Sequence, residues 1–184
     1  MIPFNIKTKR LEIRPLHLFD LSDFHIYRSN PEVTKYQGFD PMSIDQAEAF
    51  ITENSTRQFG KAGEWVQFGI ALKESEKLIG DCAIKLTESD ARIAELGITI
   101  SHLEQKQGFA KEALLGFLSF LFDEKQIHRV VEIVDAENTA SIRLLESIGF
   151  RREGHFIENI FFKGKWGSEF QYAMLKSEWD SIKR

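Results

Sequence analysis

One segment restricts the possible folds more than any other. Residues 92–100, RIAELGITI, alternate as a strand, and residues 128–135, HRVVEIVD, form a β-branched strand. Between them LEQKQGFAKEALLGF opens a helix that runs from about Gly108 to Glu124. A strand–helix–strand crossover joins parallel neighbours and is right-handed. The remaining segments arrange themselves around this unit. TKRLEIRPL reads as an opening strand, and DLSDFHIYRSN as a short helix stopped by Asn30-Pro31. SIDQAEAFITENSTRQF is a second helix; Ser43 and Gln46 have capping-box spacing, and Ala47, Phe50 and Ile51 make its apolar stripe. EWVQFGIAL and KLIGDCAIKL pair as a hairpin through the charged turn KESEK. NTASIRLLESIGF is a helix that stops at Gly149, and RREGHFIENIFFKGKWGSEFQYAML is two strands turning at Lys163-Gly164-Lys165. KSEWDSIK closes the chain as a short helix. The expected class is α/β, with a mixed, mostly antiparallel sheet, one parallel strand pair, and helices on both faces.

With 184 residues, 42% of them apolar, the chain can bury one well-formed core, so residues 1–184 are read as a single domain. The formal net charge of −4 provides no chain-wide basic field, and direct nucleic-acid binding is not expected. The single cysteine, Cys82, excludes an internal disulfide framework and fits a reducing, cytoplasmic compartment. The first residues, MIPFNIKTKRLEIRP, lack the apolar core of a signal peptide. ALLGFLSFLF is broken by a serine and too short to span a bilayer, so no membrane association is expected.

The helix start at Gly108 has two readings. A pyrophosphate wants several backbone N–H groups, little side-chain bulk and positive potential. A helix N-terminus supplies free N–H groups and about half a positive charge. Gly108 admits close backbone approach, and Ala110 keeps the next approach point small. Gln105 and Gln107 offer hydrogen bonds, while Lys106 and Lys111 add charge. One glycine and one alanine equally suit a plain helix start. The loop is not a Walker loop and lacks the three glycines of a dinucleotide fingerprint. His102, His128 and the other three histidines show no metal-ligand spacing, and no metal is expected.

Gln105-Lys106-Gln107-Gly108-Phe109-Ala110 resembles the Gln/Arg-x-x-Gly-x-Gly/Ala signature of the GNAT acetyltransferase superfamily. NTASIRLLESIGF is similar to that superfamily's second cofactor segment. TKRLEIRPL, NPEVTKYQGF and YAMLKSEW resemble its Rim-type branch, the ribosomal-protein N-terminal acetyltransferases and their relatives. The resemblance covers nearly the whole chain. It implies a GNAT-like fold whose parallel strands splay at the cofactor site, with acetyl-CoA as co-substrate. Gln105 through Lys111, including Phe109, would hold the pyrophosphate, and the open edge of Ile98, Thr99 and Ile100 would hold the pantetheine arm. Asn138 would bond that arm as well as cap its helix.

The implied reaction is acyl transfer from a thioester to an amine. Many members carry a tyrosine acid where this chain has Leu145, which leaves Ser141 as the donor to the departing sulfur. Glu95 is the candidate base, and Asp81 on the neighbouring strand is a second acid able to reach the same cleft. An α-amine, with a pKa of about 7.7–8.0, is roughly one-tenth neutral near pH 7, whereas a lysine at about 10.4 is neutral in only about 0.04% of molecules. A modest base therefore favours an α-amine or another low-pKa amine. Tyr36, Phe39, Trp65, Phe161, Phe162 and Trp166 are candidates for a cleft wall, with core or interface as the alternative; Tyr172 would face the acetyl site. The acceptor is open between a protein N-terminal amine and a small-molecule amine. A homodimer is implied by the resemblance. Absence of the tyrosine acid also leaves open an acetyl-CoA-binding sensor or scaffold with weak or lost catalysis.

Overall fold

The computed structural model describes residues 4–183. Its eight strands form one sheet in the order β1-β2-β3-β4-β5-β6-β8-β7. They are β1 (Ile6–Lys7), β2 (Leu11–Pro15), β3 (Val66–Leu72), β4 (Leu78–Leu86), β5 (Ile93–Ile100), β6 (Arg129–Asp135), β7 (Arg151–Phe162) and β8 (Lys165–Leu175). Six α-helices accompany them: α1 (Leu21–Arg28), α2 (Pro31–Thr34), α3 (Ile44–Ser55), α4 (Phe109–Ser119), α5 (Thr139–Ile148) and α6 (Lys176–Ile182). Every strand pair is antiparallel except β5–β6, which the crossover through α4 makes parallel.

Two elements escape the sequence pattern. β1 is only two residues long, too short for any periodicity to register. α2 begins at the proline read as a stop. Asn30 caps it, accepting from the Glu32 N–H at 2.9 Å, and Pro31 takes the first helical position, where its missing N–H costs nothing. The capping box of α3 forms as expected: Gln46 Oε1 accepts from the Ser43 N–H at 2.8 Å, and Ser43 Oγ from the Gln46 N–H at 3.2 Å. The helix expected to reach Glu124 is α4 followed by a π-helical turn, Phe120–Glu124.

The two faces of the sheet carry separate cores. On one, α1 and α3 pack Phe24, Tyr27, Ala47 and Ile51 against Leu16 and Leu78. On the other, α4, α5 and α6 bring Ala113, Leu114, Phe117, Leu145, Ile148 and Trp179 onto Ile13, Phe68, Ile84, Leu96, Val130 and Val134.

Two buried acids meet different fates. Asp81 on β4 lies under α1, and both its oxygens are taken. Arg28 donates to them at 3.0 and 2.5 Å, the Tyr27 hydroxyl at 2.6 Å, and Gln67 Nε2 adds a further bond. Arg28 is itself sandwiched by the Phe39 and Phe24 rings, 4.2 and 5.1 Å from their centroids. Glu132 on β6 projects into the opposite core, between Val130 and Val134. Among the described residues its Oε2 is the single buried side-chain polar atom without a hydrogen-bond partner. Burial pushes its carboxyl up to about 8.

Each acid predicts a stability measurement. Arg28→Ala strands the Asp81 charge, and urea unfolding should show a loss of about 3–5 kcal/mol, whereas Arg28→Met with Asp81→Leu should recover most of it. Glu132 titrates near 4.5 when unfolded and near 8 when folded. The folded state therefore holds a proton that the unfolded chain releases, and stability should fall as pH rises from about 4.5 through 8, by about 5 kcal/mol. Glu132→Leu should flatten that slope; an unchanged slope would mean that Glu132 ionises freely in the fold.

Candidate active site

The site follows from where two parallel strands part. β5 and β6 pair only through Ile93–Arg129, Ala94–Val130 and Glu95–Val131. Beyond Glu95 the first strand stays with β4 as far as Ile100, and beyond Val131 the second stays with β8 as far as Asp135. A wedge opens between them, and the β6-facing edge of Leu96–Ile100 has no strand partner. The cleft above it holds about 490 Å³. It is lined by Ile98, Thr99, Ile100, Gln105, Lys106, Gly108, Phe109, Ala110, Lys111, Asn138 and Ser141, all singled out from the sequence.

At its outer end the loop reaches α4 through two left-handed residues, Lys106 at φ 62° and Gly108 at φ 81°. At Gly108 only glycine takes this conformation without strain, and the first helical turn, Phe109 to Lys111, borders the cleft. Gln105 Nε2 donates to the Ile100 carbonyl at 3.1 Å and ties the loop to the strand end. Lys111 reaches across to the Ser147 carbonyl at 3.1 Å, joining α4 to α5. Gln107 does not line the cleft. Its carbonyl accepts from Arg10 at 3.1 Å and its amide donates to Glu104.

Arg10 was not visible as a site residue in the sequence. It sits 97 positions from its loop contact, stacks on the Phe109 ring at 4.2 Å, and pairs with Glu112 at 2.6 Å, bracing the helix start from behind. Glu32, Val33, Gln37 and Arg143 also line the cleft. Only the placement of α2, the turn after it and α5 brings them there, and no local pattern announces it.

The inner wall is α5. Asn138 Oδ1 caps it, accepting from the Ser141 N–H at 3.2 Å, so Asn138 and Ser141 share one turn at the cleft edge. Leu145, one turn further on, is fully buried in the α4–α5–α6 core and has no proton to give.

On the opposite face, Glu95 stands beside Lys85, with Glu95 Oε2 2.6 Å from Lys85 Nζ, and the Lys85 ammonium rests on the Trp65 ring at 4.6 Å. Glu95 lies outside the cleft lining and sits at the last β5–β6 pair. Gly97, two residues on and on the same face, has open space where a Cβ would project.

Asp81 does not serve as a second acid. It is 1% exposed and fully engaged by Arg28, Tyr27 and Gln67, so no amine reaches it. Tyr172 is likewise buried and does not present a free hydroxyl, which donates to Glu146 at 2.8 Å. Of the aromatic candidates, Tyr36 lines the cleft, while Phe39 covers Arg28 and Phe161 and Trp166 form an exposed edge-to-face pair at the hairpin tip. Phe162 lies under Lys163, whose ammonium donates to the Thr34 carbonyl at 2.5 Å and closes the hairpin tip onto α2. His102 and His128 are exposed and stand apart from these groups. Among the described residues, no cluster of three or more His, Cys, Asp or Glu is placed to hold a metal, and no helix is long and apolar enough to cross a membrane.

This arrangement suits an extended ligand with an anionic end at α4 and an acyl end at the wedge. Comparisons with known proteins identify the family. A family model described as an acetyltransferase (GNAT) domain matches residues 10–151. An N-acetyltransferase of Bacillus licheniformis called p20 is 31% identical over 94% of this chain and 96% of its own. The [ribosomal protein uS5]-alanine N-acetyltransferase of Escherichia coli is 24% identical over 95% of this chain and 92% of its own. Among solved structures, a GNAT-family acetyltransferase from Bacillus anthracis superimposes with a TM-score of 0.85 at 28% identity, covering 95% of this chain and 99% of that one. The spermidine N-acetyltransferase of Vibrio cholerae, solved with CoA and spermine, does so with a TM-score of 0.78 at 25% identity, over 92% and 98%. The chain therefore belongs to the GNAT acetyltransferase family and is an acyltransferase.

Proposed function

We propose that the protein transfers an acetyl group from acetyl-CoA to a low-pKa primary amine, with a protein N-terminal α-amine as the favoured acceptor. The observation that carries this reading is the wedge beyond Glu95–Val131, with the left-handed Gly108 helix start at one end and Ser141 along its wall. In this reading the N–H groups of Gly108 to Lys111, with the Lys106 and Lys111 charges, hold the pyrophosphate. The free strand edge at Ile98–Ile100 pairs with the pantetheine amides, and Asn138 takes one of them. An N–H from the same edge polarises the thioester carbonyl as the amine attacks. Ser141 hydrogen-bonds the sulfur as it leaves.

The acceptor enters over Gly97, on the face that bears Glu95. Its pairing with Lys85 holds Glu95 in place on this face, where it can steer an ammonium group and relay a proton through water. That is sufficient for an α-amine near pH 7 and insufficient for an unperturbed lysine. The uS5-alanine relative points the same way, whereas the spermidine relative makes a polyamine the principal competitor. Use of acetyl-CoA and a free, buried Cys82 fit a cytoplasmic setting.

Thermal shift should show stabilisation by acetyl-CoA and none by ATP or NAD. Thiol release should then be measured over N-terminal peptides, free amino acids and spermidine. Binding of acetyl-CoA without thiol release from any amine would establish a sensor instead. Gly108→Glu forces a side chain into a left-handed position and sets a carboxylate against the phosphates. It should weaken acetyl-CoA binding by tenfold or more, about 1.4 kcal/mol, and unchanged affinity would sink the pyrophosphate assignment. Ser141→Ala should lower kcat about tenfold while KM for acetyl-CoA stays put; an unchanged kcat would assign the sulfur contact to water.

A further inference from the structure

The structure contains an acid that this mechanism does not use. Glu132 is the first residue of β6 beyond the last β5–β6 pair, so it stands at the vertex of the wedge. A chain entering from the α4 end passes Ile100, Thr99 and Ile98 in turn and arrives at this vertex with its far end. Alternation along β6 turns Glu132 toward the α4–α5 face, the side from which Ser141 borders the cleft and on which Leu145 is buried. The residue is 4% exposed, and its Oε2 has no partner.

The groups facing it are uncharged or engaged. Tyr172, directly opposite on β8, gives its hydroxyl to Glu146. Cys82 on β4 is held as a neutral thiol, by burial first and by Glu132 second. α4 and α5 present Leu114, Phe117 and Leu145 to this core. Among the described residues no cation neutralises Glu132, so the acid keeps its proton at neutral pH, and a buried carboxylic acid with no acceptor is a stored proton donor. A purely structural residue here would gain by being leucine.

We propose that Glu132 is a catalytic acid that delivers its proton to the CoA sulfur as the thioester breaks. The proposal rests on the acetyl-transfer reading above. In the step, the amine nitrogen bonds to the carbonyl carbon, the C–S bond breaks, and the sulfur takes the proton from the Glu132 carboxyl to leave as free thiol. The nitrogen sheds its extra proton to water near Glu95. The Glu132 carboxylate, unstable in its apolar surroundings, recovers a proton from water as CoA departs. Protons therefore balance, and Ser141 orients the sulfur for the transfer.

Two measurements test this on the full chain. Infrared difference spectroscopy should show the carbonyl band of a protonated carboxylic acid that Glu132→Gln abolishes. Binding of CoA should shift the band, and binding of desulfo-CoA, which lacks the sulfur, should leave it in place. A band insensitive to CoA, or no protonated band at neutral pH, would overturn the proposal even if the enzyme turns over. In steady-state assays, Glu132→Gln should lower kcat by on the order of a hundredfold with KM for acetyl-CoA unchanged, and should remove the fall in wild-type rate above about pH 8. Glu132→Gln is close in size and keeps a hydrogen-bond donor, so a folded variant with normal kcat and the same alkaline limb would also overturn it. Failure of acetyl transfer itself would appear separately, as acetyl-CoA binding to the wild-type protein with no thiol release.

Discussion

The parting of β5 from β6 after a single short run of parallel pairing is the constraint on which the rest of the molecule depends. Backbone N–H and C=O groups inside a sheet require partners, and an unpaired central edge is normally destabilising. Here the deficit is concentrated where a ligand backbone can make it good. The antiparallel neighbours β4 and β8 hold the two diverging strands firmly, so the wedge is a fixed feature and not a fraying end. Its outer end is closed by the Gly108 turn, which Arg10 braces from the turn between β1 and β2. The binding geometry is thus built before any ligand arrives, which lowers the ordering cost of association.

The two buried acids show how one fold handles charge in opposite ways. Asp81 is paired with Arg28 and saturated with donors, and the cluster joins α1 to β3 and β4. Glu132 receives nothing and remains a neutral acid at the price of stability in alkaline solution. The first arrangement fixes α1 on the sheet; the second leaves an unpartnered carboxyl where β5 and β6 part.

Much of this was legible in the residues. The crossover from RIAELGITI to HRVVEIVD required the parallel pair, Ser43 and Gln46 formed their capping box, and Gly108 and Asn138 took the positions that their backbone chemistry favours. Those features are local, settled within one turn or one strand. Asp81 misled because its partners Tyr27 and Arg28 lie more than fifty positions away, and a strand pattern does not reveal which helix covers it. Arg10 was overlooked for the same reason. Glu132 drew no attention because a glutamate in a β-branched strand reads as a solvated residue until both faces of that strand are known to be covered.

The sequence by itself determined the main elements, their order, the parallel crossover and the glycine turn into α4, since periodicity, capping and turn residues act over short range. Only the tertiary structure decided which carboxyls stay charged. A carboxylate's protonation depends on the solvent it loses and the donors it meets, and both are set by packing between elements distant in the chain. That is why Asp81 is held in a buried pair with Arg28, Glu95 in a half-buried pair with Lys85, and Glu132 is left without a partner where β5 and β6 part.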